Sequence, residues 1–448
     1  MVNKSQVTKL NYGMLSTKGR LPVAGVMPFP NDVLPDGVEN LVTVLDLLRF
    51  EHARTRPELA QYSGLGRTVV SQQLSYLSDL GLVREGDLAP STGGRAPRSL
   101  AFRAEAGVLL VAELGATSLA AGLSDLAGNL LFQHEEPFDI GEGPRRALDR
   151  LAKLFDALLD QNDISRASLW GIGLGVPGPV EFSTGRPISP PIMPGWHAYP
   201  IRHHLGELYG LPVWVDNDVN LMALGELRSG HARGEQNMVY VKIGTGIGAG
   251  IVCGGKLYRG AQGCAGDIGH VAVREASDVV CRCGKGGCLE ALAGGAALGR
   301  DGTLAAESGL SPHLAAVLDE GRKVTGEEIS KAAQRGDPVA MELLLRSGRL
   351  VGEVLATIVN FYNPALILVG GGVAAAGDAL LASIRENVYR CSLPLATRDL
   401  QISFSPLGEL AGLRGAAAMV TDEVFAPAQI VRWLAHGSPA AMTGLLTA

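Results

Sequence analysis

The chain has 448 residues, 46% of them apolar and 19% charged, with a formal net charge of −6; this suits a globular protein of two or three domains and argues against a generally basic nucleic-acid binder, although a small binding domain fits within an acidic total. No apolar run reaches the roughly 18 to 20 residues of a membrane helix, and Met1-Val2-Asn3-Lys4-Ser5-Gln6 lacks the apolar core of a signal peptide, so no membrane insertion and a cytoplasmic location are expected. Six cysteines, four of them between 264 and 288, fit reduced thiols better than a disulfide framework.

Residues 1 to about 38 scatter Gly, Pro and Asn without sustained periodicity and read as a flexible lead-in. A first helix is expected from near Asn40, with Leu41, Val44, Leu45 and Leu48 on one apolar face. Thr55-Arg56-Pro57-Glu58 has the form of a capping box and starts a short second helix that stops at Ser63-Gly64-Leu65. A third helix is predicted from about Arg67 to Leu80. Its buried stripe is Val70, Leu74 and Leu77; Arg67, Thr68, Ser71, Gln72 and Ser75 take the other side. Taken alone, such a face is an ordinary solvated surface. After two short helices, and before the return from Leu82 to Phe102, it fits a winged helix-turn-helix over 39–105, with short polar side chains able to reach base edges of double-stranded DNA. The wing contains Gly93-Gly94-Arg95-Ala96-Pro97-Arg98, and Leu88 to Ala104 carries three Arg and no acid. Arg95 and Arg98 are its candidate contacts, Arg95 suiting a narrow minor groove. A wing used for protein contacts is the alternative.

From Gly107 the chain turns to strands and glycines. Val108 to Thr117 reads as a strand, a glycine turn and a second strand, and the pattern returns from Met238 to Gly248. The repeat predicts two similar α/β lobes with a cleft between them. In the first lobe, Leu169 to Pro179 is a buried strand ending in a Gly-Pro loop of the kind found at ligand clefts. Trp196 reads equally as an aromatic wall or a core residue. Val213 to Asn220 ends a strand in a cluster of carboxylates and amides. In the second lobe, Gly244 to Gly250 is a turn able to cradle phosphates through backbone N–H groups. Leu350 to Tyr362 is a strongly apolar helix, and Ala365 to Val369 a buried strand running into Gly370-Gly371-Gly372. No motif marks the tail after Pro427.

The most specific pattern is Gly263-Cys264-Ala265-Gly266-Asp267-Ile268-Gly269-His270, followed by Cys281-Arg282-Cys283-Gly284-Lys285-Gly286-Gly287-Cys288-Leu289-Glu290. His270, Cys281, Cys283 and Cys288 make a Cys₃His set, the usual form of a closed structural zinc site. Asp267 and Glu290 stand just outside it, where fixed acidic side chains suit neighbouring hydroxyls.

These two signatures resemble those of the ROK family of sugar-responsive repressors and sugar kinases. The second is complete from Cys281 to Glu290; in the first, Asp267 stands where the family has Glu. The resemblance covers about Gly107 to Val424. It implies an actin-like, ribonuclease-H-like domain over 106–425, a tail at 426–448, zinc on His270 and the three cysteines, and a small sugar facing Asn217, Asp218, Asp267, His270 and Glu290. In the family's kinases the Asp at position 218 is the base. The family's first phosphate motif, Asp-x-Gly-Gly-Thr, appears as Glu113-Leu114-Gly115-Ala116-Thr117, so the acid that would serve magnesium is Glu and a methyl group replaces the second Gly. Family repressors also have a Gly-Gly-Arg-x-Pro wing. The expectation is a non-enzymatic, sugar-responsive repressor working as a homodimer or homotetramer on operator DNA, with an ATP-dependent sugar kinase carrying a DNA-binding domain as the rival. A third reading makes the sugar domain a docking surface for a transporter or another protein.

Overall fold

Two five-stranded sheets repeat one design. The computed structural model describes residues 34–88, 98–273, 275, 278–374, 377–434 and 437–439. The first sheet contains β3 (Val108–Leu114), β4 (Ser118–Asp125), β5 (Leu130–Pro137), β6 (Leu169–Val176) and β9 (Val213–Asn217), in the order β5-β4-β3-β6-β9. The second contains β10 (Asn237–Ile243), β11 (Ile247–Cys253), β12 (Lys256–Tyr258), β13 (Leu366–Gly370) and β14 (Gln401–Phe404), in the order β12-β11-β10-β13-β14. Each begins with an antiparallel meander and ends with two parallel strands. The repeat seen in the sequence is therefore a duplicated fold. A two-stranded ribbon, β7 (Val180–Glu181) with β8 (Arg186–Pro187), leaves the first lobe.

Period-two burial explains the layers. Leu110, Ala112 and Leu114 of β3 pack with α4 (Pro144–Gln161) and α5 (Ile201–Tyr209), whereas Leu109 and Val111 face the opposite way. In β10, Val239, Val241 and Ile243 pack toward α7 (Leu289–Ala293), α8 (Gly295–Glu307), α9 (Pro312–Asp319), α10 (Gly326–Gln334), α11 (Pro338–Tyr362) and α12 (Asp378–Cys391); Met238 and Tyr240 face the other way. Both inner stripes share a central core with α6 (Asp218–Ser229) and α14 (Leu410–Val424). The short α13 (Pro394–Thr397) leads into β14. Trp196 is fully buried and donates from Nε1 to the Ile140 carbonyl at 3.3 Å, so it is a core residue.

Ahead of the lobes, α1 (Leu34–Arg49), α2 (Arg56–Ser63), α3 (Arg67–Asp79), β1 (Val83–Leu88) and β2 (Arg98–Phe102) form the winged helix. The Thr55 hydroxyl accepts from the Glu58 N–H, and the Glu58 carboxylate reaches the Arg54 N–H at 2.8 Å, one residue before the expected partner. Helix α1 starts at Leu34, ahead of the expected Asn40. Past Pro427, α15 (Pro427–Leu434) buries Ile430, Trp433 and Leu434. Trp433 packs 5.5 Å from the Trp170 ring and 6.2 Å from Phe425, and α15 also touches α1. The winged helix is thus packed against both α15 and the central core. Among the described residues, no helix is long and apolar enough to cross a membrane.

Candidate functional site

A cleft of about 1530 Å³ is lined by both repeated hairpin turns, the loop at Pro177–Pro179, the start of α6, the segment 263–270 and Gly370–Gly372. Asn217, Asp218, Asp267, His270 and Glu290 all border it. Asn217 caps α6: its Oδ1 accepts from the N–H groups of Val219 and Asn220, and its Nδ2 donates to the Gly178 carbonyl at 2.9 Å. The side chain ties the helix to the Gly-Pro loop. The preceding Asp216 is buried; it accepts from Arg259 at 2.7 Å and from Asn220 at 2.9 Å, which anchors the strand end to the segment leading to Asp267.

Asp218 is buried at the first turn of α6. Its Oδ1 accepts from the Val219 N–H at 2.9 Å, and its Oδ2 accepts from the Lys242 ammonium at 2.6 Å. The same ammonium lies 3.4 Å from Glu113 Oε1. Burial pushes Glu113 up to about 7 despite the lysine beside it, while the two carboxylates, outweighing burial, hold Lys242 above its ordinary value. Gly412 of α14 lets Glu113 in: a Cβ there would lie 1.5 Å from its Oε2. Sequence reasoning passed over Lys242. The signal was present, because Lys242 stands two residues before the hairpin glycine in the second repeat, as Glu113 does in the first.

Glu290, in the first turn of α7, accepts from the Ile247 N–H at 3.2 Å, and burial raises its pKa. This contact requires Gly246, where a Cβ would lie 2.0 Å from Glu290 Oε2. His270, Cys281, Cys283 and Cys288 place one donor atom each within 4.8 Å of one another. His270 Nδ1 is 3.6 Å from Cys281 Sγ, and the sulfurs of Cys283 and Cys288 are 3.7 Å apart. A disulfide would need about 2.0 Å. A tetrahedral zinc ion, with bonds of about 2.3 Å to sulfur and about 2.0–2.1 Å to nitrogen, requires edges of roughly 3.8 and 3.6 Å. The donors therefore fit a metal ion. Burial pushes the Cys288 thiol up to about 12, so the packing disfavours a free thiolate at that position. The other nitrogen of His270, Nε2, lies 3.9 Å from the Asp267 carboxylate, on the cleft side of the cluster.

A family model for the ROK family matches residues 110–423. The chain belongs to the ROK family. It is 29% identical over 385 residues to a xylose repressor of Caldicellulosiruptor bescii, covering 86% of this chain and 96% of the relative. It is 33% identical over 311 residues to a glucokinase of Halalkalibacterium halodurans, covering 69% of this chain and 94% of that enzyme. The crystal structure of a ROK family transcriptional regulator, a homolog of the E. coli MLC protein, superposes with a TM-score of 0.75 at 27% identity, covering 89% of this chain and 99% of the other. The sheets described above are the actin-like ROK fold.

In this ROK chain the segment ahead of the family domain presents the polar face predicted for α3. Arg67, Thr68, Ser71, Gln72 and Ser75 are all exposed, while Val70, Leu74 and Leu77 are buried. Gln72 Nε2 lies 3.3 Å from the Tyr76 hydroxyl. Arg98 begins β2, exposed and 3.8 Å from Glu85. Arg95 lies outside the described residues.

Proposed function

We propose that this ROK protein is a sugar-responsive transcriptional regulator, a repressor of carbohydrate uptake or metabolism genes that binds operator DNA through its winged helix as a homodimer or homotetramer. The observation that carries the reading is the added head: the glucokinase relative is almost wholly covered by 69% of the chain, and residues upstream of the family match fold as a winged helix packed on the core of the cleft domain. The exposed face of α3, with Arg67, Thr68, Ser71, Gln72 and Ser75, suits a major groove, and Arg95 and Arg98 are the further contacts proposed from the wing sequence.

Asp218, Asp267, His270 and Glu290 are assigned to sugar hydroxyls, with Asn217 holding the frame. One zinc ion on His270, Cys281, Cys283 and Cys288 has a structural role, since four protein donors leave no position for water. Helix α6 gives the cleft a route to the head. It is capped by Asn217 and its last turn holds Arg228, whose Nη2 lies 2.6 Å from Asp422 and whose guanidinium lies 5.2 Å from the Phe50 ring, beside the end of α1. Sugar that prefers one lobe arrangement shifts the head through this contact.

The test is to titrate xylose, glucose and other aldoses into complexes with DNA obtained by in vitro selection, comparing the parent with Asp218→Asn. Losing a charged acceptor, worth about 1.5–3 kcal/mol, should weaken the sugar response roughly ten- to a hundredfold and leave DNA binding intact. A response at the parental concentration places the effector elsewhere.

The rival, an ATP-dependent sugar kinase, draws support from the glucokinase similarity and from the Gly244–Gly250 turn bordering the cleft beside Asp218. Glu113, Ala116 and Lys242 stand against it. ADP release with these sugars should stay at background; turnover of about 1 to 100 per second would make the protein an enzyme.

A further inference from the structure

The duplicated fold puts an acid and a base at equivalent positions. Glu113 and Lys242 each continue an inner stripe, after Leu109 and Val111 on β3 and after Met238 and Tyr240 on β10. Both stripes run to the cleft, where the start of α6 adds Asp218. One ammonium thus contacts two carboxylates, at 2.6 Å and 3.4 Å, so the two oxygens stand no more than about 6 Å apart.

We infer that Lys242 is a built-in cation that excludes a divalent metal, and with it a metal–nucleotide complex, from the carboxylate pair Glu113 and Asp218, and that fixes Asp218 as an acceptor for a sugar hydroxyl. A magnesium ion binds carboxylate oxygen at about 2.0–2.1 Å. Bound to Asp218 Oδ2, it would lie within a few ångströms of the ammonium already there, and two cations so close repel strongly where water is scarce. The charge balance agrees. One ammonium balances one carboxylate, which is the short contact to Asp218. The second carboxylate, Glu113, is left under-compensated, which accords with its raised pKa. A divalent ion would have balanced both. The lysine is also anchored by the strand, whereas a bound ion exchanges, so the charge at Asp218 does not depend on metal supply.

The sugar-facing half of this inference rests on the reading of the cleft as an effector site; the metal-excluding half does not. The experiment is Mn²⁺ titration of full-length, zinc-loaded protein, followed by electron paramagnetic resonance. Mn²⁺ suits oxygen donors and leaves the thiolate set alone. The parent should show no saturable site. Lys242→Ser should gain one ion per chain, at least tenfold tighter than anything in the parent, and Lys242→Ser/Glu113→Gln should lose it again. If the serine variant does not fold, Lys242→Met, which keeps an unbranched side chain of similar length and removes the charge, is measured instead. Parent binding equal to that of the variant overturns the inference. So does a folded, zinc-containing variant that gains no ion. Neither measurement requires sugar, so failure here is separate from failure of the Asp218→Asn sugar titration.

Discussion

Cys281, Cys283, Cys288 and His270 gather four donors and leave their centre to a cation from outside. A short way along the same cleft, Glu113 and Asp218 gather two carboxylates, and the chain supplies the cation itself as Lys242. The difference lies in what each arrangement makes conditional. On the proposed zinc assignment, order around the first cluster depends on an ion that can be taken away. The second cannot be emptied without changing the sequence, and it tolerates the loss of one member poorly because the remaining charge has no water to turn to.

The largest effect should come from breaking the first cluster. Cys281→Ser, or a strong chelator, should release the zinc and disorder the segment from Asp267 to Glu290. Apparent binding energies of structural zinc sites are about 10–16 kcal/mol in small peptides, so a drop in melting temperature should accompany the loss of metal, measured by elemental analysis beside calorimetry. Zinc-free protein with an unchanged melting curve would remove the distinction drawn above. In the second cluster, Asp218→Ala leaves the ammonium only the longer contact to Glu113 and should cost at most about 3–5 kcal/mol. Adding Lys242→Met should restore much of that loss, read from a double-mutant cycle of denaturant midpoints; simple additivity would mean that the pair is not coupled.

The smallest effect is a slope with pH. Burial raises Glu113 to about 7 in the folded protein, above its ordinary 4.5. The folded state then holds a proton that the unfolded chain has released, so this group's contribution to stability is complete below pH about 4.5 and falls as pH rises toward 7. Glu113→Gln should flatten that part of the stability profile. An unaltered profile would mean that Lys242 compensates Glu113 fully.

The contrast also explains what could be read beforehand. Metal ligands declare themselves because Cys-x-Cys-x₄-Cys is local, and a strand alternation such as Val239, Val241, Ile243 is local too. The charge cluster is not local: 129 residues separate Lys242 from Glu113 and 24 separate it from Asp218. A single Lys near a strand end looks like an ordinary solvent-facing residue until the two repeats are superposed. The tie between Asn217 and the Gly-Pro loop was concealed in a similar way. Its cap on Val219 and Asn220 is local, but its second bond, from Nδ2 to the Gly178 carbonyl, reaches 39 residues back and ties the helix to the loop. Helix α15 escaped notice because eight residues give too few turns for a persuasive period, and its apolar face acquires meaning only against Trp170 and Phe425.

That last helix also sets an order of events during synthesis. The winged helix emerges from the ribosome first, but the Trp433 layer to which α1 is joined is translated only after both lobes. At about 5 to 20 residues per second, the wait is on the order of tens of seconds. Until then the head can fold upon itself but has no surface on which to seat. A nascent chain therefore reaches its docked arrangement only once the complete cleft has been made.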